Sequence, residues 1–125
     1  MIYGIGCDIV QVSRFAKIIE KNSFINRFFN KEETLSTMTN VQHAAEHYAS
    51  RFAAKEAFSK ALGTGIIGFE LKEIFIVNKE SGQPELKVTG KALDLLKSRC
   101  GMEARVFVSL SHEKEYAMAY VVIEK

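Results

Sequence analysis

At 125 residues and 47% hydrophobic content, the chain has the size of one ordinary domain and enough apolar side chain for its own core, so residues 1–125 are expected to form a single domain. Seventeen Lys+Arg against fifteen Asp+Glu leave a net charge of only +2, which excludes a bulk-charge argument for a nucleic-acid coat or a membrane surface. Cys7 and Cys100 are too few for a disulfide framework or a paired-cysteine zinc site, and no run approaches the roughly 18 apolar residues of a membrane span, so a reduced, cytoplasmic, soluble protein is expected.

The apolar opening Met1–Cys7 is broken by Asp8, with no basic region ahead of it, and reads as a strand over residues 2–10 rather than a leader. Alternation places Gly4, Gly6 and Asp8 on one face and Ile5, Cys7 and Ile9 on the other. From Ser13 to about Met38 the pattern is one of short helical pieces, with Phe15, Ile18 and Ile19, then Phe24, Phe28 and Phe29, punctuated by Asn22 and Asn30. A long alanine-rich helix is predicted from about Val41 to Leu62, stopped by Gly63 and Gly65, which tolerate positive backbone angles at a C-terminal cap.

Strand-like Leu71–Val77 follows, then a turn at Gly82, a short strand at Leu86–Val88, and a helix after Thr89 with Ala92, Leu93 and Leu96 on its apolar face. Val106, Val108 and Leu110 alternate as a strand, Ser111–Glu115 forms a polar hairpin, and Tyr116–Ile123 returns as an apolar strand. This order points to an α+β fold.

On a helical wheel, Glu56 and Lys60 fall among Ala45, Ala49, Phe52 and Ala53, while Arg51, Lys55 and Ser59, four apart, are expected to form the polar edge. By spacing alone, Glu56 and Lys60 read most simply as an i, i+4 ion pair, and Asp8 as a strand-end turn residue. Their combination points further. Two carboxylates and a lysine, converging where a glycine-containing strand lets a helix approach, would suit magnesium and a phosphate-bearing substrate.

The apolar strand ends in the polar hairpin that carries His112, between Ser111 and Glu113, but neighbouring residues on a hairpin point in different directions and make no catalytic relay. It stands as a candidate phosphate or ligand contact. Arg14, Lys17, Lys21, Arg27 and Lys31, interleaved with phenylalanines and opposed only by Glu20, form a basic segment that is either a docking surface or a solvated helix side. A nucleic-acid-binding module using this patch is the rival reading, but the aromatic-rich motif of an RNA-recognition sheet is missing.

Taken together, Gly4-Ile5-Gly6-Cys7-Asp8-Ile9, Arg51-Phe52-Ala53-Ala54-Lys55-Glu56-Ala57-Phe58-Ser59-Lys60-Ala61 with Gly63 and Gly65, Gly82-Gln83-Pro84, and Val108-Ser109-Leu110-Ser111-His112 resemble the 4′-phosphopantetheinyl transferases of the holo-(acyl-carrier-protein) synthase type, over nearly the whole chain. The resemblance implies a mainly antiparallel sheet packed on a long central helix, assembled as a homotrimer with coenzyme A in clefts between subunits. It implies transfer of the phosphopantetheine arm of coenzyme A to a serine of apo acyl carrier protein, in support of fatty acid biosynthesis, with Mg²⁺ as cofactor and neither nucleic acid nor membrane as partner. By position, Asp8 and Glu56 match the metal carboxylates, and Glu56 and Lys60 the catalytic pair, with Lys60 beside the diphosphate. Arg51, Gly63, Gly65, Pro84 and His112 match coenzyme A contacts, and Arg14, Lys17 and Lys21 the carrier-docking region. The serine proton is left to either Glu56 or a water on the metal.

Overall fold

The computed structural model describes residues 1–37 and 40–125; the far end of the predicted Ser13–Met38 stretch, at Met38, lies outside them. Strand β1 (Ile2–Gln11) leads into two short helices, α1 (Ser13–Ile18) and α2 (Asn22–Phe28), and a 3₁₀ turn at Lys31–Glu33. Asn30 closes that turn with a capping box: its side chain accepts from Glu32 N, while Glu33 Oε1 accepts from Asn30 N.

Helix α3 (Val41–Leu62) follows, capped at its start by the Asn40 side chain, which accepts from His43 N at 3.0 Å, and closed by Gly63 in the left-handed region at φ 82°. Ala44, Ala45, Ala49, Ala53, Ala54, Ala57 and Ala61 are all buried along it. Small side chains on several sides let neighbouring elements approach the helix axis closely, which is why an element this poor in large apolar residues can stand at the centre of the core.

The segment after α3 corrects the expected extended run from Leu71. Leu71–Glu73 is a 3₁₀ turn, and strand β2 covers only Ile74–Asn78, because Glu73 folds back to accept from Glu70 N and from Lys91 N at the start of the next helix. Strand β3 (Pro84–Val88) pairs with β2 around the Gly82 turn. Helix α4 (Gly90–Cys100) begins after Thr89, whose hydroxyl donates to the Glu73 carbonyl rather than capping the helix. Strands β4 (Arg105–His112) and β5 (Tyr116–Glu124) close the chain, so His112 belongs to the strand and the hairpin turn is 113–115.

The pairing is antiparallel throughout: β1-β5-β4 make a three-stranded sheet, and β2-β3 a separate ribbon. The fold is α+β, with an antiparallel sheet against a long helix, as expected. The inner face of the sheet, with Gly6, Val10, Ala117, Ala119, Val121 and Ile123, packs on α3. The outer face is apolar and exposed: Ile5 is 69%, Ile9 62% and Tyr120 53% accessible. No helix among the described residues is long and apolar enough to cross a membrane.

Candidate functional site

The site begins with the two glycines of β1. A Cβ on Gly6 would lie 2.7 Å from Ala61 N and 3.0 Å from the Ala57 carbonyl carbon, and one on Gly4 would lie 3.1 Å from the Ala61 carbonyl carbon. Only residues without a side chain let strand and helix seat this closely. Asp8, next on the same face, is thereby carried to the last turns of α3. Lys60 Nζ donates to Asp8 Oδ1 at 3.1 Å and to the Cys7 carbonyl at 3.0 Å.

Glu56 stands one turn before Lys60 on α3 and is partly buried. Burial raises its carboxyl pKa above the ordinary range, the Asp8 charge raises it further, and Lys60 opposes both. The three side chains therefore share one electrostatic site. Two carboxylates that repel each other, with a lysine on one of them, leave net room for a cation. Among the described residues no three His, Cys, Asp or Glu side chains are grouped around a metal position. A pair of hard oxygen donors fits magnesium, which binds through one or two carboxylates and completes its shell with substrate phosphate and water.

The expected polar edge of α3 is reversed. Lys55 and Ser59 are only 1% and 2% accessible, whereas Lys60 is exposed. Lys55 tolerates burial because its ammonium donates to Glu33 Oε1 at 2.6 Å, to the Ile74 carbonyl at 2.5 Å and to the Leu71 carbonyl at 3.2 Å. Ser59 tolerates it because its hydroxyl donates back to the Glu56 carbonyl at 2.7 Å. Glu56 and Lys60 thus lie on the accessible side of a helix whose second half is otherwise largely enclosed.

The remaining predicted residues are dispersed. Arg51 is half-buried: its Nη1 donates to Ser50 Oγ at 3.2 Å, and its buried Nε has no partner among the described residues. Gly63 and Gly65 have φ of 82° and 66°, and a Cβ on either would meet nothing within 4 Å, so conformation rather than crowding calls for glycine there. Pro84 opens β3, on the separate ribbon. His112 Nδ1 faces Glu46 Oε1 at 3.4 Å. Glu46 lies ten residues before Glu56 on α3, about 15 Å along the helix at 1.5 Å per residue. Within one chain, then, His112 stands toward the start of α3, and Glu56 and Lys60 toward its end. Arg14, Lys17 and Lys21 are exposed on and just after α1, while Phe15 is buried, its ring tilted against that of Phe52 at 5.5 Å.

Two features escaped the sequence reading. One is the Glu33–Lys55 pair; the spacing Asn30-x-x-Glu33 is a capping-box signal that could have marked the turn, but not its partner. The other is an apolar cavity of about 440 Å³ beside Glu56, lined by Phe24, Phe28, Phe52, Ile66, Phe69 and Leu71 among others.

The family model for the 4′-phosphopantetheinyl transferase superfamily matches residues 4–121. The holo-[acyl-carrier-protein] synthase of Treponema denticola is 49% identical over 124 residues, covering 99% of both chains. Among solved structures, the holo-(acyl-carrier-protein) synthase of Bacillus anthracis in complex with CoA (3′,5′-ADP) superposes with a TM-score of 0.81 at 35% identity, over 100% of this chain and 98% of that one. The holo-[acyl-carrier-protein] synthase of Neisseria meningitidis superposes with a TM-score of 0.82 at 37% identity, over the whole of both chains.

Proposed function

The chain belongs to the 4′-phosphopantetheinyl transferase superfamily, and from that premise we infer that it transfers the 4′-phosphopantetheine group of coenzyme A to a serine of apo acyl carrier protein. The products are holo carrier and adenosine 3′,5′-bisphosphate. The observation that carries this reading is the convergence of Asp8, Glu56 and Lys60 at the glycine-built seam of β1 and α3.

Asp8 and Glu56 would hold Mg²⁺, which when bound supplies Lewis-acid neutralisation of the diphosphate. Lys60, anchored by Cys7 O and Asp8 yet exposed at its tip, presents an ammonium to the phosphate oxygens and steadies the charge that grows on them. The serine Oγ attacks the β-phosphorus in line; the new O–P bond forms as the bond to the bridging oxygen breaks and adenosine 3′,5′-bisphosphate departs. Glu56 takes the serine proton, directly or through one water.

Pro84, His112, Arg51 and the Gly63–Gly65 turn are assigned to coenzyme A. His112, beside Glu46, and Lys60 lie at different ends of α3 within one chain, which supports a coenzyme A site completed by a second copy. The exposed apolar outer sheet face, Ile5, Ile9 and Tyr120 included, gives such copies a surface to bury. A homotrimer with coenzyme A between subunits, formed by a single domain over 1–125, is the assembly we assign. Arg14, Lys17 and Lys21 receive the acidic carrier, and the enzyme serves fatty acid biosynthesis in the cytoplasm. The direct test is the intact mass of apo carrier after incubation with the protein, Mg²⁺ and coenzyme A.

A further inference from the structure

Lys55 adjoins Glu56 in sequence but points the other way, into the core, where it forms a wholly enclosed ion pair with Glu33; their side chains are 1% and 0% accessible. Each polar atom of the pair is used to bind a different piece of backbone. Glu33 Oε1 accepts from Asn30 N at 3.2 Å as well as from Lys55, and Oε2 accepts from Ile76 N at 3.1 Å. The lysine donates to the carbonyls of Leu71 and Ile74. Asn30, in turn, donates from its side chain to the Lys72 carbonyl at 3.0 Å.

These attachments are the roots of the two walls of the cavity beside Glu56. One wall is α2, with Phe24, Arg27 and Phe28, and its chain exits through Asn30 into the turn that carries Glu33. The opposite wall is Ile66, Phe69, Glu70 and Leu71, and it ends on the carbonyl that Lys55 holds. The floor is Phe52 and Glu56 of α3, the helix that carries Lys55 itself. A buried ion pair costs desolvation and adds little net stability over an apolar substitute, so its value lies in fixing geometry.

We propose that Lys55 and Glu33 are positioning residues of the transferase: their ion pair sets the spacing of the α2 and 66–71 walls about Glu56, and so the approach of the carrier serine to that carboxylate. The inference rests on the transferase reading above. Asp8 and Lys60 hang on the β1 seam, outside both walls, so the Lys55–Glu33 pair acts on the site through Glu56.

The test is the double variant Glu33→Gln/Lys55→Met, which removes both charges and leaves neither stranded. Wild type and variant are titrated with coenzyme A and Mg²⁺ by calorimetry to count binding-competent molecules, and carrier modification is measured per competent molecule. kcat per competent molecule is expected to fall by about ten- to a hundredfold. A merely structural role would lower the number of competent molecules and leave kcat per molecule as in wild type, which would overturn the proposal. Should the double variant not fold, Glu33→Asp decides: it keeps both charges but shortens the reach, so kcat per competent molecule again falls, and full activity would contradict us. Failure of wild type itself to modify the carrier would refute the transferase reading, and this inference with it.

Discussion

Lys60 and Asp8, 52 positions apart, meet at 3.1 Å because the strand and helix that carry them touch through Gly4 and Gly6, with no side chain between. Gly6→Ala would drive a methyl group into Ala57 and Ala61 and push β1 off α3. It should cost about 1–3 kcal/mol, or more if the backbone cannot yield, and abolish transfer in whatever fraction folds. Urea denaturation beside a carrier assay checks both. Lys60→Ala, on an exposed side chain, should instead keep stability and lower kcat by about a hundredfold or more.

Glu56 makes a second, less expected prediction. In the folded, metal-free protein its pKa is raised, chiefly by burial and then by Asp8, so the folded state binds the proton more tightly than the unfolded chain. Its contribution to stability is therefore most favourable at low pH and declines as pH rises through the raised folded value. Glu56→Gln removes that penalty. Its melting temperature at neutral pH, without Mg²⁺, should equal or exceed that of wild type, while kcat falls by about a hundredfold or more. A variant markedly less stable than wild type would contradict this.

His47 works in the opposite direction. Burial, with Arg51 beside it, lowers its pKa to about 4, while Nε2 donates to the Glu33 carbonyl at 2.6 Å. The unfolded chain takes up a proton near the ordinary histidine value of about 6.5, and the folded chain only near 4. Stability should thus fall as pH drops across that window. Thermal melts from pH 7 to 4 should show the loss, and His47→Gln should flatten it.

How far the sequence alone reveals all this depends on whether a residue's fate is set by its neighbours in the chain. The bounds of α3 follow from its alanines and Gly63, and the facing of β1 from strict alternation around Gly4, Gly6 and Asp8. Lys55 defeated the wheel because Arg51, Lys55 and Ser59 have the spacing of a solvated edge, and the partner that permits burial, Glu33, sits 22 positions upstream in a 3₁₀ turn. Likewise nothing near His112 in sequence discloses Glu46. The roles assigned to Pro84 and His112 rest on the family resemblance, since no periodicity could suggest them.

The basic segment gives a fourth prediction. Arg14 and Lys17 are exposed and make no ion pair among the described residues. Arg14→Glu/Lys17→Glu should raise KM for the acidic carrier by about tenfold or more and blunt its salt dependence, with coenzyme A affinity and melting temperature unchanged. Unaltered carrier kinetics would remove the docking role assigned to Arg14 and Lys17.

The outer sheet face gives a fifth. Ile9 is 62% accessible in the single chain, and Ile9→Asp breaks no buried contact there. In sedimentation, wild type should run as a trimer and the variant as smaller species with weakened coenzyme A binding. A monomeric wild type would remove the shared cleft we assign.

The most direct measurement compares wild type and Glu56→Gln in one carrier experiment: apo acyl carrier protein, coenzyme A and Mg²⁺, read by intact-protein mass. Wild type should shift the carrier by the mass of one phosphopantetheine, and a folded Glu56→Gln should leave it apo. An unshifted carrier with wild type, or an equally shifted one with Glu56→Gln, would contradict the site described above.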